Sequence, residues 1–513
     1  MIVLLHKNKK CIKAFYLDSK LEIDLNELDL VKGFFNLASR FENRFIIWCQ
    51  LENEPYLNSE YFKKLCSHKL IMASYSSVNY NFISEKIGYV DSSPFANPKR
   101  EVPYPTWIMS SCVGVIHSKV LMTFNADIFN GESFDYTLCS IAKHAQPKGL
   151  FCYAVPQLLR DNAPEFDPKK GSMFEMFKFV KRHYRTRWTA ILFLNCFFYE
   201  NKLLFLPFLK SLIISKKPMH LELSHLNASL ETEIITTNYD VIIPTIGRKD
   251  YLYDVLRDLS EQTLRPINVI VIEQNPDIES ISDLDYLNNE AWPFKIKHQF
   301  IHQTGACNAR NLALKEVNSD FLFLADDDIR FKSSVLKDAL KTMCNYNIEA
   351  ATLSCLREGE QELHRTPLQW FTFGSGCSIV ATKMAKKISF DTAYEFGFGE
   401  DSDFGMQLRG LGCDIVYIPQ TQLRHLKAPI GGFRTVHKHS WAIDNVQPKP
   451  SPTVMLYNLK HQSIQQQKGY KTLLFLKFYR KQPIKNPLAY FNQMNLRWQK
   501  SSYWAEQLRH KTD

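Results

Sequence analysis

The sequence predicts an α/β protein built from two related units, each followed by a basic, aromatic-rich helical segment. Three observations lead to this prediction. The chain has 513 residues, more than one hydrophobic core normally holds. Strand and helix patterns alternate after residue 238, which is typical of a mainly parallel sheet covered by helices. Several short patterns of this second half recur in the same order in the first half.

The second half opens with the clearest strand pattern in the chain. Residues 240–245 are a buried, β-branched run, and a helical pattern follows that places Val255, Leu256 and Leu259 on one face. A second buried strand is predicted at 267–272, a helix at 306–317 and a further strand at 321–324. Ligands of such sheets bind beyond the carboxyl ends of the strands. The residues after position 324 are therefore candidates for a binding site.

Three aspartates, Asp326, Asp327 and Asp328, follow the 321–324 strand directly. Adjacent ionised carboxylates repel one another and are costly to bury without partners. A divalent cation such as Mn²⁺ or Mg²⁺ would resolve this conflict and could link the carboxylates to the phosphates of a nucleotide. The alternative is an exposed acidic turn before a helix, where aspartate is also favoured.

A second acidic motif lies at Glu400 and Asp401, after a glycine and at the start of an amphipathic helical pattern. This placement suits a general base that removes a proton from a hydroxyl group. A helix cap with acids near the helix N-terminus explains the same pattern. His425 follows a strand pattern at 414–419, so we expect it at the same edge of the sheet, as a metal ligand or as a structural histidine.

Taken in order, these motifs resemble those of family-2 glycosyltransferases, which have the Rossmann-like GT-A fold of nucleotide-diphospho-sugar transferases. The motifs are the opening strand and loop at 241–248, the Gly-x-x-x-Ala-Arg-Asn element at 305–311, the Asp-x-Asp metal motif at 326–328, the glycine-containing acceptor strand at 373–377 and the Glu-Asp motif at 399–401. One departure is Glu273-Gln274-Asn275, where the family often has an Asp-Asp-Ser type ending. Recognition of the nucleotide base is therefore the least secure part of the resemblance.

The resemblance implies a role for each motif residue. Asp401 would be the catalytic base with Glu400 beside it, Asp326 would contact the ribose and the metal, and Asp328 and His425 would hold Mn²⁺ or Mg²⁺. The donor would be bound by Pro244, Thr245, Gly247, Arg248, Glu273, Arg310, Asn311, Asp326 and Asp327. A single base without a carboxylate nucleophile implies inversion at the anomeric carbon. The implied activity is metal-dependent transfer from a nucleotide sugar to a saccharide or lipid-linked acceptor in surface polysaccharide or glycan synthesis.

The first half resembles a damaged copy of the second. Residues 44–52 can be aligned with 320–328, 110–115 with 374–379, 132–135 with 400–403 and 153–156 with 416–419. The three aspartates are then replaced by Gln50, Leu51 and Glu52, a set that would hold a divalent cation poorly. The segment before Arg44 is also too short for a complete nucleotide-binding portion. We expect a truncated GT-A-like domain that performs no transfer.

These patterns give four expected regions. They are a degenerate glycosyltransferase-like domain at 1–170, a basic-aromatic helical region and linker at 171–235, the catalytic domain at 236–430 and a basic helical extension at 431–513. Two alternatives remain for the function of the whole chain. One is a non-catalytic carbohydrate- or nucleotide-binding scaffold, and the other is a nucleotidyltransferase, which shares the α/β plan and a metal site.

The net charge of +10 is concentrated in two aromatic-rich stretches. Residues 168–217 and residues 457–513 each contain 11 Lys and Arg residues against 2 Asp and Glu residues. Such helices can lie on an anionic membrane surface, although a solvated helix face is the alternative. No nucleic-acid module accompanies the charge. The apolar run at 188–199 is too short to span a bilayer, and the 12 scattered cysteines favour reduced thiols, so we expect a cytoplasmic or peripheral membrane location.

Overall fold

The computed structural model describes every residue except 79–80, 166–169, 217–218, 220, 227–236, 430–436 and 511–513. Contacts divide the chain into two units. Unit 1 contains Met1–Ser229 and Gln462–Phe478, and unit 2 contains Leu230–His461 and Tyr479–Asp513. The expected domain boundaries at residues 235–236 and 430–431 lie outside the described residues.

Unit 1 has one mixed sheet with helices packed around it. Its strands are β1 (Ile2–Lys7), β2 (Lys10–Tyr16), β3 (Glu22–Ile23), β4 (Phe45–Gln50), β5 (Ile71–Tyr75), β6 (Tyr104–Pro105), β7 (Val113–His117) and β8 (Phe151–Ala154). Its helices are α1 (Leu30–Arg40), α2 (Ser59–Leu65), α3 (Ser118–Leu121), α4 (Phe134–Ala145), α5 (Met173–His183), α6 (Arg187–Glu200) and α7 (Phe205–Leu212). The order of the strands in the sheet is β3-β2-β1-β4-β7-β5-β8-β6.

Unit 2 has a second mixed sheet. Its strands are β9 (Tyr239–Thr245), β10 (Asn268–Gln274), β11 (Lys295–Ile301), β12 (Phe321–Ala325), β13 (Ile329–Phe331), β14 (Ala350–Leu356), β15 (Leu368–Gln369), β16 (Cys377–Ala381) and β17 (Ile415–His425). Its helices are α8 (Lys249–Ser260), α9 (Tyr286–Asn289), α10 (Ala306–Glu316), α11 (Val335–Tyr346), α12 (Thr382–Ala385), α13 (Glu400–Gly410), α14 (Pro452–His461) and α16 (Pro487–Arg509), while α15 (Ile464–Tyr479) lies almost entirely in unit 1.

The strands predicted at 240–245, 267–272, 321–324 and 414–419 are present in unit 2, whereas the glycine-containing segment at 373–377 precedes β16 and contributes only Cys377 to it. The path of the sheet is β11-β10-β9-β12-β16-β14-β17-β13, and β15 pairs with β17. Strands β9 to β12 run parallel, which places the carboxyl ends of β9, β10 and β12 at one edge. The buried Asp240 carboxylate accepts hydrogen bonds from Asn268, Asn318 and Ser319, and so ties together the starts of β9, β10 and β12. This anchor aligns the opposite ends of these strands at the site.

The two sheets have the same plan from their central strands outward. In unit 1, the pairs β1–β4 and β5–β8 are parallel, whereas β4–β7, β5–β7 and β6–β8 are antiparallel. The pairs β9–β12, β14–β17, β12–β16, β14–β16 and β15–β17 repeat this pattern in unit 2. The register agrees as well, since Cys49 faces Val113 and Ala325 faces Cys377. The structure thus matches the repeat expected from the sequence.

The units differ at the front of the sheet. Between β9 and β12, unit 2 has α8, two parallel strands, α9 and α10. Between β1 and β4, unit 1 has the antiparallel strands β2 and β3 followed by α1. The portion that carries a nucleotide in a Rossmann-like sheet is therefore replaced by a short hairpin in unit 1.

Helices follow the sheet in each half, as the basic-aromatic stretches predict. They are α5 to α7 in the first stretch and α14 to α16 in and around the second. Among the described residues, none of the helices combines the length and apolar character that crossing a membrane requires.

Candidate active site

Most of the candidate site residues predicted from the sequence line one pocket of unit 2. It lies where the carboxyl ends of β9, β10 and β12 meet the end of β17 and the start of α13. Ten of the predicted site residues line it: Pro244, Thr245, Arg248, Arg310, Asp326, Asp327, Asp328, Glu400, Asp401 and His425. Gly247, Glu273 and Asn311 are not among its lining residues.

The two outer aspartates and His425 form a group that could hold a metal ion. Asp326, Asp328 and His425 each offer one ligand atom, and these atoms lie within 4.8 Å of one another. The distance from His425 Nε2 to Asp328 Oδ1 is 3.3 Å. Two carboxylates and one imidazole are a suitable donor set for Mn²⁺, and the pocket beside them leaves room for further oxygen ligands. The residues present therefore fit the metal that the motif implies.

The surroundings of Asp328 favour the ionised form of its carboxyl group. Burial would raise the pKa of its carboxyl group, but hydrogen bonds from His425 and from the Ala428 N–H outweigh burial and lower that pKa. The hydrogen bond to Asp328 in turn raises the pKa of His425. The Asp328 carboxylate and the His425 imidazole are thus hydrogen-bonded to each other at the end of β17, where β13 and β17 pair.

Asp327 has a different position from its neighbours. Its carboxylate accepts a hydrogen bond from Thr245 Oγ1 at 2.7 Å and pairs with Arg248 Nη1 at 2.5 Å. Burial raises the pKa of Asp327 to about 6, although Arg248 opposes this shift. The middle residue of the acidic run therefore joins the ends of β9 and β12, outside the possible metal group.

Asp326 lies against a glycine of the neighbouring strand connection. A Cβ atom at Gly376 would lie 2.1 Å from Asp326 Oδ2, so a larger residue at this position would force the Asp326 carboxylate to move. Arg310 Nη2 lies 3.2 Å from Asp326 Oδ1. The close approach of Gly376 and the Arg310 contact set the direction of the Asp326 carboxylate.

Glu400 and Asp401 open helix α13 on the other wall of the pocket. Asp401 accepts hydrogen bonds from both the backbone N–H and the hydroxyl group of Ser375. Burial raises the pKa of the Asp401 carboxyl group, and burial together with the Asp401 charge raises the pKa of Glu400 to about 7. Raised carboxyl pKa values of this kind suit groups that exchange protons near neutral pH.

Three predicted residues have contacts away from the pocket. Glu273 Oε2 lies 2.9 Å from His298 Nε2, while the next residue, Gln274, lines the pocket and accepts a hydrogen bond from the Gly305 N–H at 2.6 Å. Asn311 exchanges hydrogen bonds with the backbone of Phe390. Gly247 lies in the turn after β9 with φ of 62°.

Glu395 is a lining residue that the sequence analysis did not select. Its carboxylate accepts hydrogen bonds from the Cys307 and Asn308 N–H groups at the start of α10, at 3.2 and 2.7 Å. A Cβ atom at Gly305, whose φ is 141°, would lie 2.3 Å from Glu395 Oε1. No local pattern marks this acid, because its partner is a helix about 90 residues earlier in the chain.

Asp403 is a second acid that the sequence analysis did not assign. It is fully buried, and its carboxylate accepts hydrogen bonds from Tyr394, Gln407, Lys460 and His461 at 2.7 to 3.3 Å. Lys460 also pairs with Asp391 at 2.8 Å. Asp403 therefore fixes the start of α13 to the end of α14, two residues after Asp401.

The corresponding region of unit 1 keeps one part of this arrangement. Asp135, the second residue of α4, accepts hydrogen bonds from the N–H and hydroxyl groups of Ser111, just as Asp401 does from Ser375. The structure therefore matches Asp135 to Asp401 and Phe134 to Glu400. The alignment of 132–135 with 400–403 is thereby shifted by two residues.

The acidic run has no such counterpart in unit 1. Gln50, Leu51 and Glu52 follow β4, and the Gln50 amide donates a hydrogen bond to Glu52 at 2.9 Å. Lys7 at the end of β1 pairs with Glu52 at 2.6 Å. The Glu52 carboxylate is thus paired with an ammonium group and hydrogen-bonded to an amide.

The fold defines unit 2 as a GT-A-type domain. Residues 240–403 match the family model described as Glycosyl transferase family 2. The second half of the chain is therefore a family-2 glycosyltransferase domain, and the resemblance found in its motifs is confirmed. No curated protein matches the chain.

Several solved structures resemble parts of the chain at low identity. S. aureus TarS 1–349 in complex with UDP-GlcNAc is 18% identical over 47% of this chain and 72% of that one, with a TM-score of 0.34. The mannosyltransferase PcManGT from Pyrobaculum calidifontis in complex with GDP-Man and Mn²⁺ is 13% identical over 53% and 73%, with a TM-score of 0.30. The match spans 37% of the longer TarS chain, at 19% identity over 37% of this chain and a TM-score of 0.31.

Proposed function

We propose that unit 2 transfers a sugar from a nucleotide-sugar donor to a hydroxyl group of a saccharide or lipid-linked acceptor, with a divalent metal and with inversion at the anomeric carbon. The product would belong to a surface polysaccharide or another glycan. The observation that carries this proposal is the shared pocket, with Asp326, Asp328 and His425 on one wall and the buried Glu400–Asp401 pair on the other.

The metal-binding residues would act on the diphosphate leaving group of the donor. Asp326, Asp328 and His425 would hold Mn²⁺ or Mg²⁺, which when bound neutralises negative charge on the diphosphate of the donor. Asp327 would keep the end of β9 in place through Thr245 and Arg248. Pro244 and Gln274, which also line the pocket, are candidates for contacts with the nucleoside.

Asp401 would act on the opposite side of the sugar. As the acceptor oxygen forms a bond to the anomeric carbon, the bond from that carbon to the phosphate oxygen breaks, and Asp401 takes the acceptor proton. The Ser375 hydrogen bonds orient the Asp401 carboxylate for this step. A single displacement of this kind inverts the configuration.

The test is an assay for free nucleoside diphosphate with a panel of UDP- and GDP-sugars in the presence of Mn²⁺. We expect release that depends on the metal, and a transferred product with inverted configuration by NMR. Pyrophosphate release from a nucleoside triphosphate and a sugar phosphate would instead identify a nucleotidyltransferase. Donor binding without turnover of any donor or acceptor would favour a non-catalytic scaffold.

Unit 1 would perform no transfer and would support unit 2 or bind an acceptor or partner. The replacement of the acidic run and of the front of the sheet supports this proposal. A cytoplasmic location is supported by the 12 cysteines, all of which are free thiols.

A further inference from the structure

The end of α6, the following loop and α7 expose an unusual number of large apolar side chains. We call this surface the apolar tip, and it consists of Phe197, Phe198, Leu203, Phe205, Leu206, Leu209, Leu212 and Ile213. Each of these side chains is between 42% and 84% exposed. Isolated exposed apolar residues are common in proteins, whereas a concentration of this size in one short segment indicates an interaction surface.

The exposed side of α7 is not the side that packs on the protein. Phe208 faces inward, where its ring stacks on Phe193 with centroids 5.1 Å apart and contacts Phe177 edge-on at 6.4 Å. Pro207 and Ser211 are buried on the same side. A surface helix of a globular protein normally presents polar residues to water opposite such a face. Helix α7 presents Leu206, Leu209 and Leu212 instead, so both of its faces are apolar.

The charge around the apolar tip indicates the nature of the partner. Residues 201–221 contain four lysines and no acidic residue, while Glu200 at the end of α6 pairs with Lys202 at 3.5 Å. Lys202 and Lys210 are exposed beside the apolar side chains. Long lysine side chains at the border of an apolar surface can keep their ammonium groups among anionic headgroups while the apolar groups insert more deeply.

A second copy of the chain fits this surface less well than a bilayer. In a two-fold symmetric contact each surface meets its own equivalent, which would bring lysines close to lysines. Like charges in that position disfavour association. A bilayer that contains anionic lipid satisfies both the apolar and the cationic parts of the surface.

We propose that the apolar tip inserts into the interfacial region of a membrane bearing anionic lipid and anchors the protein there. The purpose of this anchor rests on the proposed function, since a lipid-linked acceptor is presented at a membrane. Binding itself is measured without donor or transfer, so a failure of one proposal is distinguishable from a failure of the other.

The test is flotation of the full-length protein with vesicles of phosphatidylcholine, with and without about a third of phosphatidylglycerol. We expect binding to the anionic vesicles, weakened by salt but retained in part, because salt screens the lysines and leaves the apolar contact. The variant Leu206→Glu with Ile213→Glu should reduce binding at least tenfold. Both side chains are more than 70% exposed, so the melting temperature should remain that of the wild type.

The matched control is Leu488→Glu with Phe491→Glu, two exposed apolar residues on α16 in the second basic stretch. This control changes the net charge by the same amount and should retain at least half of the binding. Equal loss in both variants would show that charge alone governs binding and would overturn the assignment of the tip. Absence of vesicle binding would also overturn the proposal. A tip variant that instead changes the oligomeric state would overturn it as well, and would favour a second copy of the chain as the partner.

Discussion

The two units share the plan of their sheets but differ in the residues at the end of the central strands β4 and β12. Both have Asp–Ser contacts at the start of a helix, Asp401 with Ser375 in unit 2 and Asp135 with Ser111 in unit 1. At the end of the neighbouring strand, three aspartates in unit 2 correspond to Gln50, Leu51 and Glu52 in unit 1. The Asp–Ser contact thus occurs both with and without a neighbouring run of aspartates, and in each unit it joins a helix to the adjacent loop.

The residue before each aspartate separates the two units more sharply. Glu400 lines the pocket of unit 2, whereas Phe134 in unit 1 is buried and packs edge-on against Phe34 and Trp48. A carboxylate that faces a pocket has been replaced by a ring that completes a core. The same local framework therefore places an acid in a pocket in one unit and a ring in the core in the other.

The largest expected difference between the units concerns the metal group. Asp328→Ala should reduce transfer to background, because one of two carboxylate ligands is lost, and a chelator should do the same to the wild type. The matched variant Gln50→Ala with Glu52→Ala should leave transfer nearly unchanged. The measurement is nucleoside diphosphate release with and without added Mn²⁺. If the double variant lost activity while melting at the wild-type temperature, unit 1 would contribute to the chemistry.

The second comparison is between the two aspartates at the helix starts. Asp401→Asn is nearly isosteric but cannot accept the acceptor proton, so turnover should fall by about a hundredfold or more with little change in donor affinity. Asp135→Asn should leave turnover within about twofold. Steady-state kinetics and donor titration by calorimetry distinguish the outcomes. Equal turnover of Asp401→Asn and wild type would remove Asp401 from the mechanism.

Asp403 provides a test of how the base is held. Asp403→Asn removes the charge that pairs with Lys460 and His461, which should lower the free energy of unfolding by about 3 kcal/mol and turnover by roughly tenfold. In unit 1 the corresponding residue is Thr137, whose hydroxyl group donates to the Ser133 carbonyl, and Thr137→Ala should cost about 1 kcal/mol without affecting turnover. Asp403→Glu should restore part of the turnover. Denaturant unfolding and kinetics measure both effects, and unchanged turnover in a destabilised Asp403→Asn variant would assign Asp403 to stability alone.

The smallest expected effect is on the pH profile. Burial raises the pKa of Asp401, and protonation removes the base as pH falls, so kcat/KM should rise with pH across the raised pKa of Asp401. Glu400→Gln removes a neighbouring negative charge, which should lower the Asp401 pKa and move this rise to lower pH. In unit 1, where burial raises the pKa of Asp135 to about 6, Asp135→Asn should leave the profile of kcat/KM unchanged. A profile of Glu400→Gln identical to that of the wild type would show that the two carboxylates do not interact.

Predictions based on patterns among neighbouring residues agree with the structure. The strand at 240–245, the helix after residue 305 and the acidic run at the end of β12 are all present, because β-branched runs, helical spacing and adjacent charges are local signals. Glu395 and Asp403 were missed because their partners lie on other elements, on α10 and α14 respectively. Glu273 illustrates the reverse case, since the family resemblance implied a contact with the donor while its side chain pairs with His298.

The amino-acid sequence by itself determined the α/β class, the order of the motifs and the difference between three aspartates and Gln-Leu-Glu, since each of these depends on residue type and spacing. Tertiary structure alone decided which carboxylates face one another, because that depends on how strands far apart in the chain are paired. Sheet pairing brings His425 beside Asp328, and the start of α13 brings Asp401 to Ser375. The tertiary structure also decided which apolar residues remain exposed to solvent. Helical spacing shows that residues share a face of a helix, but not whether another element covers that face.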